Sequence, residues 1–241
     1  MKASTKERKR AADREAQRIN RARTKDYITP TFSILVVDVN APRNHFQTPW
    51  SFTAARLVYT LDMMRANDSD NKDQIAAAHF FCGEHVDTSN ELNSPTIANE
   101  ILSQLLSSFK HINLVPLPKM GEFDGDDMQA VCQRIECFLD LLPATAVVFC
   151  IIDGLSYYLA EEQTPEQANE LLRWLIKLTR HQKKAREHLE VCTCKLFLTA
   201  PRQLQGSYVT ELKADEVLNV PIRPPRTGGF TEMKWEAGAG G

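Results

Sequence analysis

An aspartate closes a buried-looking strand in this chain. In VVFCIIDGLSYYL (147–159), six apolar residues lead directly to Asp153 and Gly154. A carboxylate at that place has two kinds of work open to it. It holds a divalent cation beside a phosphate, or it caps the next turn through nearby backbone N–H groups, and Asp-Gly is ordinary turn chemistry. Other chemically capable side chains are less organised. His45, His79, His85, His111, His181 and His188 show no metal-ligand spacing, and His79 reads as a strand residue whose ring is satisfied. No nucleophile–base–acid set is visible. Cys82, Cys132, Cys137, Cys150, Cys192 and Cys194 include no C-x-x-C pair, which points to free thiols in a reducing compartment. Cys192 and Cys194 alternate as residues on one strand face do.

At 241 residues, with 43% hydrophobic and 25% charged content, the chain has the make-up of one sizeable globular domain plus an appendage. The net charge of −2 conceals an asymmetry: residues 1–25 carry ten Lys or Arg and three Asp or Glu, for +7, which leaves −9 for the rest. Any polyanion contact therefore belongs to the N-terminal segment. No window approaches the ~20 apolar residues of a membrane span, and no apolar signal segment follows the basic start. The expectation is an intracellular protein of the nucleus or cytoplasm with no membrane contact.

The elements that must position Asp153 alternate along the chain. FSILVV (32–37), IAAAHFFC (75–82), VCTCKLFLTA (191–200) and VLNVPI (217–222) read as further strands. Between them, Ala54, Leu57, Val58, Leu61 and Met64 recur at helical spacing. Ser94-Pro95 opens a helix with Ile97, Ile101, Leu105 and Phe109 on one face, Ser94 reading as its N-cap. A helix over about 126–142 turns Met128, Val131, Ile135, Phe138 and Leu142 inward. Thr164-Pro165-Glu166-Gln167 is a capping box for a helix running to about His188, with Glu161 and Glu162 as the solvated approach to it. Strands separated by helices predict an α/β fold with a parallel sheet covered on both faces. Trp50, Trp174 and Trp235 read as core or edge aromatics.

The order of these segments resembles the nucleotide-binding domain of NACHT-type signalling ATPases. HFFCGE (79–84), EILSQLLSSF (100–109), VVFCIIDGLSYYL (147–159) and KLFLTAPR (195–202) follow one another as the family's motifs do, over residues ~32–222. The resemblance implies a three-layer, P-loop-NTPase-like α/β domain binding ATP or GTP with Mg²⁺. In it Asp153 matches the Walker B aspartate and is the candidate metal ligand, while Thr199 and Arg202 fall in the nucleotide-sensing segment. Two departures cut against that chemistry. The phosphate loop, G-x-x-x-x-G-K-[ST], should lie in DVNAPRNHFQTPW (38–50), which has no Gly and no Lys but two prolines, and Arg43 is its only cation. Relatives carry acidic residues at the two positions after D-G-L, where this chain has Ser156 and Tyr157. The group that would polarise an attacking water is missing.

KRAADREAQRINRARTKDYI (9–28) resembles the basic region of fungal bZIP transcription factors, N-R-x-A-Q-R-x-x-R, with Arg14, Ala16, Gln17, Arg18 and Arg21 matching. The resemblance implies DNA contact through Arg10, Arg14, Gln17, Arg18, Arg21, Arg23 and Lys25. Asp13 stands where an Asn reads base edges, and no leucine zipper follows, since Thr29-Pro30 ends the segment.

The expected organisation is a basic helix over 1–29, a degenerate nucleotide-binding-like domain over 30–222 and a flexible Pro/Gly-rich tail over 223–241. The expected function is a non-enzymatic binding or scaffold protein with no resident cofactor, an unidentified protein partner and DNA contact through the basic segment. Two rivals stay open: a bZIP-type transcription regulator, and a signalling NTPase with an atypical site binding ATP or GTP with magnesium.

Overall fold

The computed structural model describes residues 33–38, 49–67, 74–85, 93–112, 127–161, 165–185, 191–201 and 206–220. Five parallel strands make one sheet: β1 Ile34–Asp38, β2 Ile75–Phe81, β3 Val147–Asp153, β4 Thr193–Ala200 and β5 Val217–Asn219, in the order β2-β3-β4-β1-β5. The strands are rich in Val, Ile, Phe and Cys and nearly all of β3 and β4 is buried, as a sheet covered on both faces requires.

The helices are α1 Pro49–Asn67, α2 Ser94–Ser108, α3 Met128–Asp140, α4 Leu155–Glu161 and α5 Pro165–Ala185. Side chains alternate across each strand and divide the core in two. Val36, Ala78, Val148, Cys150, Ile152, Leu196 and Leu198 pack with α2, α3, α4 and α5. Val37, Ala77, Phe149, Ile151 and Phe197 pack with Ala54, Val58 and Leu61 of α1. The result is a three-layer α/β fold, as expected. Among the described residues α1 is the only helix on its face. The crossover from β1 runs to the far edge of the sheet, whereas β2, β3 and β4 step back in sequence. Right-handed crossovers then put α1 on one face and the later helices on the other.

Local chemistry explains the helix limits. Asp127 caps α3, its carboxylate accepting from Gln129 N at 2.9 Å and Ala130 N at 3.3 Å. The cap of α2 is Asn93, not Ser94: the Asn93 side chain accepts from Thr96 N at 2.9 Å. Ser94 is instead the first helical residue and fully buried, its hydroxyl 2.5 Å from that of Tyr158. Ile97, Ile101 and Leu105 of α2 are completely buried, each contributing about 2 kcal/mol of apolar burial. Glu161 ends α4 rather than leading into α5; the sequence pattern does not announce this short helix. Thr164 and His188 lie outside the described residues.

On the edge strand β2, the Gln104 side chain donates to the His79 carbonyl at 3.0 Å and accepts from the His79 N–H at 2.8 Å. The His79 ring is not satisfied as the sequence suggests. Its Nδ1 is buried with no hydrogen-bond partner among the described residues, and the ring packs edge-on against Phe81 at 5.4 Å. Across the molecule, Arg180 of α5 reaches the Glu211 carbonyl at 2.5 Å and the Glu216 carboxylate at 2.6 Å, tying down the segment that leads into β5. All six cysteines are free. No helix of the described residues is long and apolar enough to cross a membrane.

Candidate functional site

Loops leaving the carboxyl ends of the strands diverge where neighbouring crossovers go to opposite faces, and in this sheet that place is the end of β1 and β4. The register sets Phe81 beside Asp153 and Val37 beside Thr199, and alternation turns all four side chains toward the α1 face. Asp153 and Thr199 are the polar members of this row. They are 3% and 0% exposed.

The two form one hydrogen-bonded unit. The Thr199 hydroxyl accepts from Gly154 N at 3.0 Å and donates to Asp153 Oδ1, so one side chain of β4 fastens the end of β3. A second hydroxyl reaches the carboxylate from the other layer: Ser51, in the first turn of α1, also hydrogen-bonds to Asp153. Burial pushes the Asp153 carboxyl above its ordinary value. The Thr199 and Ser51 hydrogen bonds pull it back down, and the like charge of Glu84 adds a further upward push. The buried cation on this face, Lys195, lies four residues down β4, about 13 Å away along an extended strand. That is too far to neutralise Asp153.

Gly154 turns the chain at φ +79°, where a side chain is strained, and a Cβ there would lie 3.1 Å from the Tyr157 ring. The turn feeds α4, which buries Tyr157 and Tyr158 at 4% and 0% exposure. Of the two positions that follow Leu155, Ser156 is partly exposed, while Tyr157 is therefore a core position in this fold. The Cys82 thiol beneath it is pushed well up by burial and by the Asp153 charge, so it stays protonated and supplies no nucleophile.

Asp38, at the end of β1, points to the opposite face, where Tyr208 is fully buried. Burial and the Asp38 charge push the Tyr208 phenol up. Its hydroxyl has no hydrogen-bond partner among the described residues. The central strand separates this pair from Asp153, so the two carboxylates do not form one site. Among the described residues no group of three His, Cys, Asp or Glu side chains is placed to hold a metal ion.

Of the residues singled out from sequence, Asp153 and Thr199 are brought into contact. Arg202, Arg43 and the basic residues Arg10, Arg14, Gln17, Arg18, Arg21, Arg23 and Lys25 lie outside the described residues. Ser51 and Glu84 were missed. A hydroxyl in the first turn of the helix after β1 was the available signal for Ser51. Nothing in the sequence marked Glu84 beyond its place just after β2.

The residues fit a magnesium–nucleotide group only in part. A carboxylate and a hydroxyl stand at the strand ends as magnesium ligands would require. Both are already joined to each other, and the 38–50 stretch offers neither the glycines nor the lysine of a phosphate cradle. The strand-end side chains thus suit such a group, and the sequence of the preceding loop does not. As built, the set joins three elements of two layers: α1 through Ser51, and the sheet strands β3 through Asp153 and β4 through Thr199. No family model matches the chain, and no curated protein matches it.

Proposed function

We propose that the chain is a non-enzymatic binding or scaffold module on a NACHT-like, P-loop-NTPase-like domain whose nucleotide chemistry is lost. The observation that carries this reading is the internal use of Asp153: its carboxylate is buried against Thr199 and Ser51 instead of facing a ligand. Two features support the descent. Ser51 stands in the first turn of the helix after β1, where a phosphate loop would end in its Ser or Thr, and its hydroxyl meets Asp153. The burial of Tyr157 supports the loss, since a carboxylate at that position would enter the core.

Calorimetric titration of the full chain with ATP and with GTP, each with magnesium, tests the reading. No saturable heat is expected. Saturable, magnesium-dependent binding that Asp153→Ala abolishes would overturn it in favour of an atypical signalling NTPase.

DNA contact in the nucleus belongs to the same proposal and rests on the basic segment, in which Arg14, Ala16, Gln17, Arg18 and Arg21 match a bZIP basic region. Phosphate contact without base readout predicts steeply salt-dependent, sequence-indifferent affinity. Deletion of residues 1–28 is expected to remove it. Strong discrimination between duplex sequences would favour a transcription regulator, and no binding at low salt would leave the scaffold alone.

A further inference from the structure

The helix α1 is apolar on two sides. One side packs on the sheet through Ala54, Val58 and Leu61. The other faces solvent, with Phe52 69%, Tyr59 53% and Met63 39% exposed and Ala55 and Ala66 exposed beside them. Positions three, four and seven residues either way from Tyr59 share its helix face. Those positions are Arg56 and Asp62, Ala55 and Met63, and Phe52 and Ala66.

The stripe is complementary to itself when reversed. In an antiparallel pair of α1 helices related by a two-fold axis at Tyr59, each residue before Tyr59 meets the one equally far after it on the other copy. Arg56 then faces Asp62, a cation against an anion. Ala55 faces Met63 and Phe52 faces Ala66, a small residue opposite a large one in both cases. The two Tyr59 rings meet at the axis. By symmetry each of the off-axis pairs occurs twice. Neither Arg56 nor Asp62 has an ion-pair partner among the described residues, and the Arg56 guanidinium lies 5.3 Å from the Tyr59 ring centre, on the same surface. Phe52, Ala55, Tyr59, Met63 and Ala66 follow one another at intervals of three, four, four and three residues, which keeps them on one face of the helix, symmetric about Tyr59.

From this charge and size complementarity we infer that the solvent face of α1 is a homodimer interface, occupied by α1 of a second copy of this chain. An isologous contact of this kind closes on itself and makes a dimer, not a filament. Nucleotide and DNA binding have no part in it, so it stands or falls apart from the proposed function.

Sedimentation equilibrium of the full chain over a hundredfold concentration range tests it, with circular dichroism as the folding control. Wild type is expected to show a monomer–dimer equilibrium, and Tyr59→Glu to be monomeric throughout. Arg56→Asp and Asp62→Arg are each expected to weaken the dimer by at least about tenfold, because each sets two like-charge pairs face to face. The double variant R56D/D62R is expected to recover wild-type affinity to within about threefold, since it restores both pairs in reversed sense. A monomeric wild type would overturn the inference. So would a dimer untouched by Tyr59→Glu, single charge reversals that the double variant does not rescue, or a dimer lost instead on Leu218→Glu at the exposed β5 edge.

Discussion

Gln104 holds both backbone groups of His79, donating to its carbonyl and accepting from its N–H, in the place a neighbouring strand would occupy. Because β2 is an edge strand, these are groups that would otherwise be open to another chain. A single side chain in α2 thus pins that helix to the sheet and closes part of its edge.

Gln104→Ala is accordingly expected to destabilise the fold by about 1–3 kcal/mol, because two partly buried backbone groups lose their partners. Urea denaturation measures the loss. Gln104→Glu should fall short of rescue, since a carboxylate accepts from the N–H but cannot donate to the carbonyl.

Asp153 gives a prediction with a definite sign. Its folded value is raised, chiefly by burial, above that of the unfolded chain. The native state is therefore favoured when the group is protonated, and that contribution is lost as pH rises from the unfolded value through the raised one. Asp153→Asn keeps an acceptor for Thr199 and Ser51 without the charge. The variant is expected to be more stable than wild type at pH 7, with the difference shrinking as pH falls through the raised value and gone below the ordinary carboxylate range. Denaturant midpoints measured at several pH values decide this. A variant less stable at pH 7 would show that the charge itself is needed.

Gly154→Ala places a Cβ at positive φ and 3.1 Å from the Tyr157 ring. The expected cost is about 1–2 kcal/mol. Near-ultraviolet circular dichroism should also change if the tyrosine packing of α4 yields to the added atom.

The Tyr208 hydroxyl is buried and has no hydrogen-bond partner among the described residues. Tyr208→Phe removes the stranded group while keeping the ring, and is expected to leave stability unchanged or raise it by about 1 kcal/mol. Thermal denaturation tests this, and a marked loss would reveal a partner for the hydroxyl.

The alternation of strands and helices was legible because its signals are local. Ile97, Ile101 and Leu105 lie one turn apart, and VVFCII is too short and too β-branched to be anything but a buried strand. Asp153 and Thr199 were legible as strand-end residues, but their contact was not, since it depends on the register of β3 against β4. Ser51 is farther from them still in sequence and meets Asp153 only because α1 crosses over the sheet. The choice of Asn93 over Ser94 as a cap escaped sequence reading for a different reason. Both residues cap well, and what decided between them was a buried tyrosine from another helix. The lone Nδ1 of His79 likewise reflects what surrounds the ring, which no local pattern records.

The strand order also sets a timetable for synthesis. β1 comes first in the chain, yet it pairs only with β4 and β5, which come last. At roughly 5–20 residues per second, β1 waits on the order of ten seconds after its own translation before any strand partner exists. During that interval β2 and β3 can join with α2 and α3, while Ile34–Asp38 remains an apolar segment without a sheet. Folding on the ribosome should therefore finish at β1, the strand made first. Truncation before β4 should strand it as an aggregation-prone end.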